Sequence, residues 1–175
     1  MSSVQTWSAG TYNITLYAEF AGYHAENNVS YYQVGTSVYN MIFTGPEGGS
    51  GYVVPPITKT FTISYQFGLS FATPENHSYW TEYTRTPNDG LDHCKIYANL
   101  DVPGMYLIGW ENTWGGGDKD YNDMVLSLKP VPPVNTPPVL DPIGDKTVNE
   151  LSTLSFTATA SDPEVPPQTL TFSLG

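Results

Sequence analysis

A single stretch, Thr60–Phe71, limits the possible fold more than any other part of the chain. Its apolar side chains Phe61, Ile63, Tyr65, Phe67, Leu69 and Phe71 alternate without interruption with Thr60, Thr62, Ser64, Gln66, Gly68 and Ser70. On a helix those rings would be spread around the whole circumference. On a pleated strand, where successive side chains point to opposite faces, they form one apolar face and leave the other to water. The stretch therefore reads as one long antiparallel strand. Ile14, Leu16, Ala18 and Phe20 repeat the pattern against Asn13, Thr15, Tyr17 and Glu19, and Met105–Glu111 with Asp123–Leu128 read as a hairpin with a long tip. Shorter strands are expected at Ser30–Val34, Val38–Thr44, Ser78–Arg85 and Lys95–Ala98, parted by turn-forming clusters at Gly45–Gly51 and Thr86–Gly90. No segment carries a sustained helical stripe, and Gly 16 and Pro 15 in 175 residues leave little room for long helices. The expected class is all-β: an antiparallel β-sandwich, jelly-roll-like in its connections.

Charge then narrows the partners. Lys+Arg 6 against Asp+Glu 17 leaves a formal net charge of −11, which repels a phosphate backbone and argues against nucleic acid. Aromatic residues at 14% and charged residues at only 13% are the reverse of a disordered acidic chain, so the acids are expected at defined places. No apolar run approaches the roughly 20 residues a membrane helix needs, so direct membrane insertion is not expected. One cysteine, Cys94, excludes an intrachain disulfide and a Cys/His zinc site, and reads as a small buried hydrophobe. Met1–Gly10 lacks the basic and apolar regions of a signal peptide, yet scarce Lys with many Thr and Ser suits a bacterial surface protein. The expected location is extracellular or at the cell surface.

The chain is expected to change character at Lys129–Pro138, KPVPPVNTPP, where five prolines in ten residues make a semi-rigid spacer. That divides it into a β-sandwich over 1–128, a linker over 129–138 and a second module over 139–175. In the last part Leu154, Phe156, Ala158 and Ala160 alternate with Ser155, Thr157, Thr159 and Ser161, Asp162–Gln168 makes a proline-rich turn, and Leu170, Phe172 and Leu174 begin another strand. An immunoglobulin-like sandwich takes about 100 residues, so 139–175 reads as a truncated one. Its segment NTPPVLDPIGDKTVNELSTLSFTATASDPE resembles the opening of the cadherin-like or immunoglobulin-like tandem repeats of large bacterial secreted and surface proteins. The resemblance implies neighbouring tandem domains as partners and makes Glu150, Asp162 and Glu164 conceivable calcium ligands, against their plainer reading as solvated turn acids.

The densest acidic run is Glu111-Asn112-Thr113-Trp114-Gly115-Gly116-Gly117-Asp118-Lys119-Asp120-Tyr121-Asn122-Asp123. Calcium takes six to eight oxygens at about 2.3–2.6 Å, and alternate residues of a turning loop can aim their oxygens at one point. Asp118, Asp120 and Asn122 have that spacing, and the three glycines before them permit positive φ and close backbone approach. The loop is not an EF-hand, since Asp123 stands where that motif needs glycine and Lys129 where it needs a bidentate Glu. A further carboxylate must come from elsewhere, and Glu111, opposite Asp123 at the mouth of the hairpin, is the first choice. The alternative is that Asp118, Asp120 and Asn122 only form Asx-turns. Mutual repulsion of Asp118, Asp120 and Asp123, offset by Lys119 alone, favours Ca2+ as the ligand.

The pattern YLIGWENTWGGGDKDYNDMVLSL resembles the C-terminal signature of a domain of unknown function found in bacterial and archaeal secreted and surface-anchored proteins, in which an aromatic and an acid precede a GGGDxDYND loop and a closing strand. EFAGYHAENNVSYYQVG is similar to its first half and PNDGLDHCKIY to its Asp-His segment, so the resemblance covers about residues 10–128. It implies an extracellular, calcium-binding β domain of modular adhesins or matrix proteins, with no settled activity. Carried over by position, Glu111, Asp118, Asp120, Asn122 and Asp123 form the ion site; Asn112-Thr113-Trp114 fall in its variable stretch.

Asp89, Asp92 and His93 are a second candidate group, from which Asp92 could donate an oxygen to the ion, whereas His93 suits a backbone carbonyl better than calcium. His24 and His77 lie in polar loops without a motif. Among the aromatics Trp80, Trp110, Trp114, Tyr31, Tyr32, Tyr79 and Tyr83, most are expected in the core. Trp110 packs in phase with Ile108, while Trp114 on the glycine-rich tip is the expected ligand contact, as an aromatic face suits the apolar face of a sugar. Asn13, Asn28 and Asn76 fit N-x-S/T, which matters only in a eukaryotic secretory host. Glu19, Glu26, Glu75 and Glu82 form no catalytic pair by local spacing, and no nucleophile elbow or phosphate loop is present, so no enzyme is expected. The expected function is a calcium-binding extracellular adhesion or ligand-binding module whose partner is a cell-surface or matrix glycan or protein. The rival readings are a spacer with a purely stabilising calcium and a fragment of a carbohydrate-active enzyme.

Overall fold

The computed structural model of the chain describes residues 4–22, 26–47, 49–85, 89–163 and 169–173. His24, Glu164, Leu174 and most of the Asp162–Gln168 turn lie outside them. The chain forms two compact units, residues 1–131 and 132–175.

The first unit is all-β and antiparallel. Its strands are β1 (Gly10–Glu19), β2 (Asn28–Gln33), β3 (Tyr39–Phe43), β4 (Gly51–Ile63), β5 (Phe67–Ala72), β6 (Ser78–Trp80), β7 (Cys94–Ala98), β8 (Tyr106–Trp110) and β9 (Met124–Val131). One sheet runs β4-β1-β9-β8-β7 and the other β3-β2-β5-β6. Inward-facing residues of both, including Ile14, Leu16, Ile108 and Leu126 from the first and Val29, Phe67, Leu69 and Phe71 from the second, form one core cluster, so the sheets pack as a sandwich. Trp7 closes one side of it by exchanging two backbone hydrogen bonds with Phe67, at 2.8 and 2.9 Å. Cys94 is buried there, and burial pushes its thiol well above the ordinary value, which leaves it a hydrophobe rather than a nucleophile. No helix among the described residues is long and apolar enough to cross a membrane.

Thr60–Phe71 is two strands, not one. β4 ends at Ile63, Ser64–Gln66 cross between the sheets, and β5 begins at Phe67. The alternation survives because both strands face the same core and the crossing preserves its phase. The proline-bearing first half of β4 is also a strand: Leu16 pairs with Ile57 but Ala18 with Tyr52, so Val53–Pro56 bulge out of the ladder on an edge strand, where prolines are tolerated. The same irregularity inverts the end of β1. Glu19 is 1% exposed and Phe20 42%, opposite to their expected faces. β9 continues past Leu128 to Val131, so Lys129–Val131 of the expected spacer pair with Asn13, Tyr12 and Thr11 of β1. By then β9 has lost β8 as a neighbour, and Pro130 is accommodated. Ser78–Arg85 yields β6 and a short 3-10 turn at Tyr83–Arg85.

In the second unit, β10 (Val139–Leu140) pairs with β11 (Ala160–Ser161), and these are its strands among the described residues. Leu154 and Phe156 carry the expected alternation but are exposed and form no ladder, because an apolar face alone supplies no neighbouring strand to bond with.

The face assignment predicts unequal costs. Leu126→Ala, in the core, should lower stability by about 2–5 kcal/mol, while Leu107→Ala, on the outer face of the same sheet, should cost under about 1 kcal/mol. Urea denaturation of the two variants checks the difference.

Candidate metal centre

The β8–β9 hairpin builds the site. Trp110 pairs with Met124, so Glu111 and Asp123 leave the ladder opposite one another, and the Asn112 N–H donates to Asp123 Oδ2 at 2.8 Å. The tip turns through Gly115, Gly116 and Gly117, with φ of +83°, +82° and +42°. A Cβ at Gly117 would collide with Glu111 Oε1, so glycine is what lets the loop close over that carboxylate. Beyond it, Lys119 and Tyr121 adopt left-handed φ of 62° and 58°, alternating with Asp118, Asp120 and Asn122. Side chains rarely accept that conformation, and here it alternates with the acids.

Asx-turns are present. Asp120 N–H donates to Asp118 Oδ1 at 3.4 Å and Asn122 N–H to Asp120 Oδ1 at 3.0 Å, while the Asn122 amide donates to Asp120 Oδ2. They do not exhaust the acids. One carboxylate oxygen each of Glu111, Asp118 and Asp120 lies within 4.8 Å of the other two, the only such convergence of His, Cys, Asp or Glu among the described residues. Oxygens bound to one calcium ion at about 2.4 Å lie no more than about 4.8 Å apart, a limit these three meet. Glu111 is 2% exposed, and among the described residues its Oε2 receives no hydrogen bond from a donor. Burial pushes its carboxyl up to about 7, and the adjacent Asp123 together with Asp118 and Asp120 push the same way. A proton or a cation would relieve this arrangement. With only carboxylates converging, a hard, oxygen-seeking cation suits it better than zinc or copper.

Asp123 lies beside the Glu111 carboxyl; its own carboxylate takes the Asn112 N–H, and its carbonyl accepts the Phe20 and Ala21 N–H groups at 3.1 and 3.3 Å. Asp92 does not join the cluster. Its Oδ1 accepts the Cys94 N–H at 3.1 Å and its Oδ2 lies 3.5 Å from Lys95 Nζ. Asp89, three residues earlier, is the acid of that segment which reaches the loop, through the Gly115 N–H at 3.0 Å and His93 Nε2 at 2.7 Å. Burial alone would raise the Asp89 carboxyl, but the bonds from Gly115, His93 and Leu91 outweigh it and hold it below the ordinary value. His93 meets a backbone carbonyl, that of Glu111, at 2.9 Å. On the outgoing leg, Tyr121 donates its hydroxyl to the Asp92 carbonyl at 2.8 Å and lies under Lys95, whose Nζ is 4.9 Å from the ring centroid.

Glu19 has a support role that sequence reasoning missed. It accepts from Asn27 at 3.1 Å, and burial, then the nearby Asp123 charge, pushes it up to about 7. Only the bulge in β1, invisible in the alternation, turns it inward. The other carboxylates considered for catalysis are dispersed: Glu82 accepts the Tyr32 hydroxyl at 2.7 Å and pairs with Arg85 at 3.0 Å, Glu75 lies 3.8 Å from His77, and Glu26 is exposed. Trp110, Tyr32 and Tyr79 are in the interior, whereas Trp114 is 45% exposed with its ring centroid 4.7 Å from that of His77. Glu150 is exposed, and among the described residues neither it nor Asp162 belongs to a converging group of three or more.

Compared with protein-family models the chain matches none, and comparison with curated proteins finds no similar sequence.

The two raised carboxyls give a pH dependence of definite sign. Between the ordinary value of 4.5 and about 7, the folded chain holds protons on Glu19 and Glu111 that the unfolded chain has released. Stability without a cation should therefore fall as pH rises through that window. Melting in chelator should drop between about pH 5 and about pH 7.5, and Glu19→Gln, which still offers Asn27 an acceptor, should flatten part of the decline. A melting temperature that rises over this range would contradict both assignments.

Proposed function

We propose that residues 1–131 form a calcium-binding extracellular module of a larger secreted or cell-surface protein, serving adhesion or ligand binding, with a cell-surface or matrix glycan or protein as partner. The observation that carries this reading is the buried Glu111 carboxylate, one oxygen without a donor among the described residues, close to oxygens of Asp118 and Asp120. Calcium supplies the charge this cluster lacks and joins the two legs of the hairpin, a useful crosslink in a chain whose single cysteine is free. The resemblance of the GGGDxDYND loop to that of secreted and surface-anchored proteins supports the same reading. Extracellular calcium is plentiful, so an affinity of about 10⁻⁴–10⁻³ M suffices.

The site is asymmetric. Glu111 closes it from the interior, while Asp118 and Asp120 are exposed, which leaves the outer coordination positions to water or to the hydroxyls of a ligand. Trp114, exposed on the same tip, offers ring surface for the apolar face of a sugar. The sealed position of Glu111 is equally what a purely stabilising ion would need, and that spacer reading is the alternative. We read the module as non-catalytic, because Glu19, Glu75 and Glu82 are each engaged with separate partners.

Calcium at about 100 times its Kd should stabilise the folded chain by about 2.7 kcal/mol. EDTA should remove that gain, and Asp120→Ala should make the melt insensitive to chelator. Identical melts of the unaltered protein with and without EDTA would sink the calcium reading. On a glycan array, binding lost with EDTA and in Trp114→Ala supports the ligand-binding role; a blank array with calcium present leaves the spacer.

A further inference from the structure

We infer that Asp89 and His93 are positioning residues for the cation loop: lying outside the converging oxygens, they fix the incoming leg, and with it the place where the Glu111 carboxylate sits. The inference rests on the calcium reading of Glu111, Asp118 and Asp120.

The geometry is a clasp on backbone groups. Residues 93 and 111 are tied twice, since Glu111 N–H donates to the His93 carbonyl at 2.9 Å and His93 Nδ1 lies 2.9 Å from the Glu111 carbonyl. A carbonyl only accepts, so Nδ1 carries the hydrogen, and the ring is oriented with Nε2 toward Asp89 Oδ2 at 2.7 Å. That same Asp89 oxygen takes the Gly115 N–H at 3.0 Å, and Oδ1 takes the Leu91 N–H at 3.1 Å. Asp89 thus has both oxygens engaged and reaches across to the first of the three glycines. The third wall of the clasp comes from the other sheet. Tyr79 of β6 stacks on the His93 ring, centroids 4.0 Å apart and 19° between planes, and donates its hydroxyl to the Asn112 carbonyl at 3.0 Å.

Glu111 N–H, Glu111 C=O, Asn112 C=O and Gly115 N–H are therefore all bonded to protein groups that carry none of the converging oxygens. This ordering is completed on folding, so it is not charged against binding, and affinity gains accordingly. A brace with no role in binding would instead lower the stability of the cation-free chain and leave the affinity of the folded protein unchanged.

Calcium titration by calorimetry on the full chain, well below each variant's melting temperature in EDTA, separates these outcomes. Asp89→Asn keeps the shape but offers a single oxygen to the Gly115 and Leu91 N–H groups and no charge to the imidazole; its Kd should rise by about 10–100-fold. Tyr79→Phe keeps the stacked ring and removes only the bond to Asn112, and should weaken binding in the same direction by a smaller factor; it carries the test alone if Asp89→Asn fails to fold. A Kd equal to that of the unaltered protein in the folded variants overturns the positioning role. Absence of calcium binding by the unaltered protein itself overturns the reading on which it rests.

Discussion

The rest of the site depends on one unfavourable placement: a carboxylate withdrawn from water with an oxygen that meets no donor among the described residues. Buried polar groups are nearly always satisfied, and a lone charge is the costliest exception. Glu111 is surrounded by further acids, Asp123, Asp118 and Asp120, whose charges all raise its carboxyl. At low pH a proton on Glu111 is enough. Above about 7 that proton is gone, and the proposed calcium is the remaining way to neutralise the cluster without dismantling the loop. The glycine at 117 and the left-handed residues at 119 and 121 are then costs of bringing oxygens together, the kind of local strain that tends to concentrate where a protein does something.

Much of the sandwich was legible because burial in a sheet has a period of two. The hairpin at 105–128, the core placement of Trp110 and the inward sets of β1 and β5 all follow from that rule. It failed where the rule carries no information. Alternation cannot register a change of sheet, so Thr60–Phe71 looks continuous although Ile63 and Phe67 belong to different layers. It cannot register a bulge, so Glu19 and Phe20 exchange faces. In 132–175 it indicates an apolar side but not the strands that would border it. The loop acids were legible for a different reason: Asp118 and Asp120 are local to each other, and Glu111 follows from the pairing of Trp110 with Met124. The choice between Asp89 and Asp92 was not legible, since both precede β7 and only the fold decides which one turns toward the tip.

Sheet order explains why distant segments meet at this end. In β4-β1-β9-β8-β7, neighbours run in opposite directions, so one edge of the sheet collects the end of β1, the start of β9, the end of β8 and the start of β7. Glu19 is the last residue of β1, and Asp123, Glu111 and His93 each sit one residue beyond the other three strand ends. The hairpin that bears the acids is interior to the sheet, flanked by β1 on one side and β7 on the other. Each flank supplies a support: the Phe20 and Ala21 N–H groups bond the Asp123 carbonyl, and His93 bonds Glu111.

This arrangement also bears on how an ion here would affect the molecule. A cation held only by a free hairpin tip would order that tip and little else. Here the incoming leg is bonded to the segment before β7 and, through Tyr79, to the opposite sheet, while the outgoing leg is bonded to the Asp92 carbonyl through Tyr121. Pulling the two legs together therefore draws on contacts in both layers of the sandwich. The free energy of binding to the folded state is necessarily free energy of folding, and its structural route runs from Glu111 and Asp120 into residues that carry no ligand atom. Trp114 sits at the outer end of the same route, its ring against His77 next to the segment that leads into β6. Asn112 and Gly115 on either side of Trp114 are bonded to Tyr79 and Asp89, so a ligand at Trp114 would meet a ring whose backbone is placed by the same clasp that places Glu111.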